Sequence, residues 1–294
     1  IAAFACELGD PPPRSPHKDP FLHWVERERL ALAPVVELID PTMGKLDWLM
    51  LPGILEREHG AAGMPPPVFA MFNMLKSDFI LARDLLWRAI DENVWPATGR
   101  FGDTLDYATY GPDASALILA HRTALDLLDK IAVTANHYFE FGLPPDKVYF
   151  GKLWRGSPDK TTGVRPLNEK VEQAIRGGAS ALYGLVELAE DYDSSAGILR
   201  SQKDLRNAGT HRFVVLHDLG DPAESRQAPE IEHHRREPFT QEVLRALRVA
   251  RSAIQMLALS ISQHEQGLPQ RTGGLVGSLL VPDYDWVRGR DHET

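Results

Sequence analysis

The chain has 294 residues, 43% hydrophobic and 25% charged, with a net charge of −9 and a single cysteine, Cys6. That balance supplies one large helical domain or two smaller ones, and the lone cysteine excludes both an internal disulfide framework and multi-cysteine zinc or iron–sulfur sites. The negative charge is the wrong sign for a protein that coats nucleic acid without specificity, although a local arginine cluster can still grip a few phosphates.

The opening "IAAFACELGD" has no charged leader before its short apolar run, so it does not read as a signal peptide. Ile1 stands where a methionine would begin a gene product, and the expectation is a fragment with a further N-terminal region. Residues 1–20, including "GDPPPRSPHKDP", read as an extended proline-rich arm or linker. Residues 21–64 read as accessory helices, one over "FLHWVERERLALAPVVELI" and a shorter one over "KLDWLMLPGILERE".

The prolines at 65–67 break the chain and open a long helix, "VFAMFNMLKSDFILARDLLWRAIDE". Its residues Phe69, Phe72, Leu75, Phe79 and Leu86 recur at the spacing of a buried helical stripe. "FGDTLDYATYGPD" reads as loop, and the helix "ASALILAHRTALDLLDKIAVTANHYFEFG" then runs to a glycine stop at Gly142. After a proline- and glycine-bearing connector, "LNEKVEQAIRGGASALYGLVELAEDYD" reads as a third long helix and "SAGILRSQKDLRN" as a fourth. Residues 219–238 are too polar and proline-bearing for core, and "FTQEVLRALRVARSAIQMLALSISQHEQ" is the last long helix.

A bundle over residues 65–265 is therefore expected, with a C-terminal tail over 266–294 that carries a short strand at "GSLLVPDYDW". The fold class is all-α: four to five long helices with extra short helices ahead of them. No apolar run approaches the roughly 20 residues that cross a bilayer, so no membrane span is expected. The lone cysteine fits a reducing, cytoplasmic location.

"DLRNAGTHRF" (204–213) places Arg206, Asn207 and His211 between two apolar runs. A guanidinium offers a planar, permanently charged fork for phosphate oxygens, and an imidazole moves a proton near neutral pH. RNA carries its own nucleophile, the 2′-hydroxyl, so an Arg, a His and a nearby amide are a minimal kit for cleaving it without metal. On a continuous helix five residues span about 500°, which puts Arg206 and His211 on different faces. Gly209 is therefore read as a helix end or kink that swings them together. Spacing by itself is weak, because Arg212 to His217 repeats it and Arg226 to His233 comes close.

The stretch "LRNAGTHRF" resembles the signature of the HEPN superfamily: Arg, a polar residue often Asn, then His after a gap of four to six. "MFNMLKSDFILARDLLW" (71–87), "HRTALDLLDKIAVTANHYFEFG" (121–142) and "VYFGKLWR" (148–155) resemble successive segments of one large bacterial HEPN branch, often attached to TPR repeats. The resemblance spans roughly residues 66–218. It implies the HEPN helical bundle and, as in many members, a metal-independent endoribonuclease that leaves a 2′,3′-cyclic phosphate. It also implies a homodimer with both motifs facing one cleft, in a bacterial defence or toxin-type system. Carried over by position, Arg206 binds and stabilises the phosphate, Asn207 orients it or its partner residue, and His211 transfers the proton.

Other polar positions are weighed against this frame. Arg122, Asp126, Asp129, Val133 and Asn136 share one face of their helix; Asp129 and Asn136 are candidates to orient the motif arginine, with a solvated stripe as the alternative. Lys76 and Arg83, seven apart on the earlier helix, are candidates to line a cleft for RNA backbone, with surface charge as the alternative. His137, beside aromatic residues, reads as a core histidine. "EIEHHRRE" (230–237) has no HExxH pattern, and neither a metal nor a cofactor is assigned. "RGGAS" (176–180) lacks a preceding strand and the P-loop lysine pattern.

The leading expectation is thus a HEPN-type endoribonuclease acting on RNA as a homodimer, with an absent N-terminal region or a regulatory partner supplying substrate binding or control. The alternative is a catalytically inactive HEPN module that serves as a dimerisation or regulatory scaffold. A metal-dependent hydrolase using the 230–237 loop is the third.

Overall fold

A computed structural model describes residues 20–33, 47–55, 65–91, 99–102, 106–161, 163, 165–225, 227–268 and 275–276; within these, the side chains of 55, 208–211, 224 and 275–276 are not described. In chain order the elements are α1 (Pro20–Arg27), β1 (Ile54–Leu55), α2 (Pro67–Ile90), α3 (Pro112–Tyr138), α4 (Phe150–Leu153), α5 (Glu169–Arg176), α6 (Leu182–Asp193), α7 (Arg200–His211), β2 (Phe213–His217), β3 (Ile231–Arg235), α8 (Arg236–Gly267) and β4 (Leu275–Val276). The chain is mostly helical, as expected.

Helix α3 is the axis of the bundle. It packs along α2 and α8 and also touches α4 and α7. Leu117, Leu125, Leu127, Leu128 and Ile131 on it are fully enclosed. Such burial on several sides follows from a sequence apolar around most of its circumference. On α2, Phe69, Phe72, Leu75, Phe79 and Leu86 are all buried, as their spacing predicts. Removing water from side chains of this size is the main source of the fold's stability, at about 1.5–3 kcal/mol each. Among the described residues no helix is long and apolar enough to cross a membrane.

Helix α3 stops at Tyr138, four residues before the expected glycine. Glu140 and Gly142 both take left-handed backbone conformations, with φ of 56° and 83°. Asn136 closes this turn: its amide donates to the Leu143 carbonyl at 2.8 Å and its oxygen accepts from the Leu143 amide at 3.1 Å.

Several expectations are corrected. The helix expected from Phe21 ends at Arg27, and Leu30–Ala33 run on as extended, fully buried chain. Side chains of the bundle satisfy its carbonyls: Arg83 donates to Leu30, Arg251 to Ala31 and Gln255 to Ala33. Four consecutive apolar residues enclosed on all sides have no polar face, so periodicity cannot tell such a strap from a buried helical segment. Over the described part of "KLDWLMLPGILERE", residues 47–53 are irregular and 54–55 form β1, paired antiparallel with β4. The tail strand thus sits at Leu275–Val276, and "GSLLVPDYDW" lies outside the described residues, as do residues 1–19.

The single helix expected over 167–193 is two, α5 and α6. Gly178, at φ 113°, breaks them apart in a conformation that other residues rarely adopt. Residues 231–235, read as polar loop, form β3 and pair in parallel with β2, Val215 opposite His233 and His217 opposite Arg235. A parallel pair needs a connection of a dozen or more residues, and the proline-bearing stretch 218–230 supplies it. β3 is only partly buried, so its sequence never had to alternate cleanly.

Candidate functional site

Helix α7 carries the motif. It lies between α3 and α6 and leads straight into β2. Two contacts fasten it to α3, the first of them buried. Gln202 faces His121 at 2.8 Å. Because the Gln202 amide nitrogen is turned to the Glu242 carboxylate, its oxygen is the acceptor and His121 Nε2–H the donor. One turn later, Arg206 Nε donates to Asp126 Oδ1 at 2.8 Å and Nη2 to Asp129 Oδ2 at 2.9 Å. Positions 202 and 206 share one face of α7, and 126 and 129 one face of α3, as helical spacing dictates.

Asp129 also accepts from the Phe150 amide at the start of α4, at 2.8 Å. It therefore fixes the arginine and the connector that closes the site at once. Tyr192 of α6 lies 3.5 Å from Arg206 Nη1. Burial would lower the guanidinium's proton affinity, but Tyr192, Asp129 and Asp126 outweigh it and hold the group above its ordinary range. Burial likewise pushes the Tyr192 phenol up; Arg206 opposes this, while Asp129 and Asp126 add to it. At neutral pH the site therefore holds a charged arginine and a protonated phenol.

These groups open onto a cleft of about 380 Å³ that is also lined by Asn207, Arg122, Lys152, Tyr149, Lys203 and Asp193. Four cationic side chains face three carboxylates there. Lys203 is tied to Asp193 and lies over the Tyr192 ring. Arg122, by contrast, has a buried Nε with no hydrogen-bond partner, and no ion pair joins it to a carboxylate among the described residues. Among the described residues Lys152 rests only against the Tyr149 ring.

The structure thus brings together Arg206, Asn207 and Asp129, three of the residues singled out from sequence. It separates others from them. Asn136 is spent on the turn at Leu143 and orients no arginine. Arg83, expected to line a cleft for RNA, is buried with 4% of its surface exposed, and its two terminal nitrogens grip Asp47 at 2.8 and 2.6 Å. Lys76 lies on the same helix, partly buried; burial lowers its ammonium below the usual range, against the opposing charge of Asp47. Neither residue lines the cleft.

The helix also runs unbroken through Gly209 to His211. The expected helix end at Gly209 is therefore corrected, and the Cα atoms of Arg206 and His211 lie about 140° apart around one axis. The side chain of His211 is among those not described. Sequence reasoning passed over Asp126, Arg122, Tyr192 and Gln202. Asp126 and Arg122 were visible on the α3 stripe, whereas Tyr192 and Gln202 carried no signal, because only packing brings α7 against α3 and α6 against α7.

The mostly helical fold, with Arg206 and Asn207 of α7 at a small polar cleft, agrees with a HEPN helical bundle. A family model described as LA2681-like HEPN matches residues 60–264, more than two thirds of the chain. The chain belongs to this LA2681-like HEPN family. No curated protein and no solved structure matches it.

Proposed function

We propose that this chain is a metal-independent endoribonuclease of a bacterial defence or toxin-type system, acting in the cytoplasm as a homodimer. In this reading the RNA supplies the 2′-hydroxyl as nucleophile and His211 takes its proton; the 2′-oxygen bonds to the adjacent phosphorus as the P–O5′ bond breaks, and the departing 5′-oxygen takes a proton back from the imidazolium or from water, which leaves a 2′,3′-cyclic phosphate and a 5′-hydroxyl. Arg206 stabilises the charge that builds on the phosphate oxygens, and Asn207 orients it.

The observation that carries the reading is the anchoring of Arg206. Two carboxylates hold the guanidinium at the cleft wall, so its position costs little further ordering when a phosphate arrives. Arg122 and Lys152, without carboxylate partners among the described residues, give the flanking backbone phosphates somewhere to sit. The homodimer is supported by Ile198 and Phe213, which bracket α7 and are 74% and 72% exposed. Large apolar side chains at both ends of the motif helix are what a twofold mate would cover.

One observation favours the second reading, a catalytically silent dimerisation or regulatory module. All three guanidinium nitrogens of Arg206 already have partners, in Asp126, Asp129 and Tyr192. The two readings separate in a digest of total RNA in EDTA. The nuclease yields products with cyclic phosphate ends, and Arg206→Ala and His211→Ala abolish them while circular dichroism stays unchanged. Cleavage that persists in both variants, or no cleavage by the native chain, refutes the nuclease. Light scattering at micromolar concentration tests the dimer.

A further inference from the structure

The cleft at Arg206 leaves one cluster of side chains unused, on the far side of the motif helix in sequence. β2 ends on His217, which is 1% exposed, and its ring meets that of His233 on β3. The gap from His217 Nε2 to His233 Nδ1 is 2.9 Å. The Asp106 carboxylate completes the group: one ligand atom from each of the three residues lies within 4.8 Å of the other two. None of these residues lines the cleft.

The surroundings settle which atoms can act. His217 Nδ1 faces the main-chain carbonyl of Asp106 at 3.0 Å, and a carbonyl only accepts. That nitrogen therefore carries the proton of the neutral ring, and the lone pair of Nε2 points at His233. A ligating histidine commonly gives its second N–H to a backbone carbonyl in this way. The carboxylate is oriented too: Asp106 Oδ2 accepts from the buried Ser225 hydroxyl at 2.9 Å, and Oδ1 lies 3.4 Å from the Ala108 amide.

We propose that Asp106, His217 and His233 form a zinc site that clamps the 106–110 segment and the two parallel strands together. Two imidazoles and one carboxylate suit zinc rather than magnesium or calcium, which prefer oxygen alone. At metal–nitrogen bonds of about 2.0–2.1 Å, two tetrahedral nitrogens lie about 3.3 Å apart, so the rings need to part only slightly. His233 then carries its proton on Nε2, and three protein ligands leave a fourth position for water. The site lies immediately after α7: His211 ends the helix and Phe213 opens β2. Its role is to fix the exit of the motif helix. It supplies no step of the proposed RNA chemistry, which is why the two ideas fail separately.

Zinc chloride titrated into the chelator-treated, dialysed full chain tests the site, followed by calorimetry and thermal melting. One equivalent is expected to bind, with Tm raised by about 5 °C at saturation. His233→Gln and Asp106→Asn, both at partly exposed positions, weaken binding at least tenfold, whereas His234→Gln, whose neighbour is Glu232, leaves it intact. Cobalt gives an independent reading, a tetrahedral visible spectrum present in the native chain and in His234→Gln and absent from the other two. No binding by the native chain overturns the proposal, as does one-equivalent binding that survives both ligand substitutions.

Discussion

Acidification should destabilise the fold through His121. Its ring is 1% exposed, and burial lowers its pKa from 6.5 to about 4; the hydrogen bond to Gln202 opposes the shift, and the charge of His234 adds to it. Above pH 6.5 the ring is neutral in both folded and unfolded chains and contributes no pH dependence. As the pH falls from 6.5 towards 4 the unfolded chain takes a proton that the folded chain refuses, so stability is lost across that window. The gap corresponds to about 3 kcal/mol at its lower end, against a total for a domain of roughly 5–15 kcal/mol. Urea denaturation of the native chain and of His121→Gln, at several pH values through the window, isolates the effect. Glutamine can still donate to the Gln202 oxygen but does not titrate, so the variant should lose about 3 kcal/mol less over the same range. Parallel stability curves for the two proteins would refute the argument from burial.

Two further substitutions probe the cleft and its surroundings. Asp129→Asn turns an amide towards a guanidinium and keeps only the Phe150 contact; RNA cleavage should fall at least tenfold while stability drops by about 1 kcal/mol, read by initial rates and urea midpoints. Arg83→Met removes a buried cation from Asp47 and should cost about 3 kcal/mol with RNA binding unchanged, whereas Arg122→Gln should weaken RNA binding and its salt dependence with stability nearly unchanged. A filter-binding assay beside thermal melts distinguishes the pair.

How much of this was legible beforehand varies by element. The buried stripe of α2, the long helices α3 and α8, and the position of Arg206 and Asn207 follow from apolar periodicity and a short motif. Both are local properties of the chain, set within a few turns. The break at Gly178 was also written in the sequence, but the surrounding apolar pattern concealed it, because periodicity reports which side is buried and not whether the backbone is continuous.

The rest was decided by contacts between residues far apart in the chain. Arg83 and Arg122 look alike as cations on long amphipathic helices. Only the return of the N-terminal strap, with Asp47, buries the first and leaves the second at the cleft. Asp126 and Asp129 carry no mark that distinguishes them from a solvated stripe until α7 packs across α3. The pairing of His217 with His233 depends on a parallel strand register, which no local pattern encodes, since the two strands meet through a long connection. The sequence by itself determined the long helices α2, α3 and α8, their apolar faces and the family. Which charges are buried, paired or left for a ligand was determined only by tertiary packing, because the energy of a charge depends on what surrounds it in space and not on its neighbours along the chain.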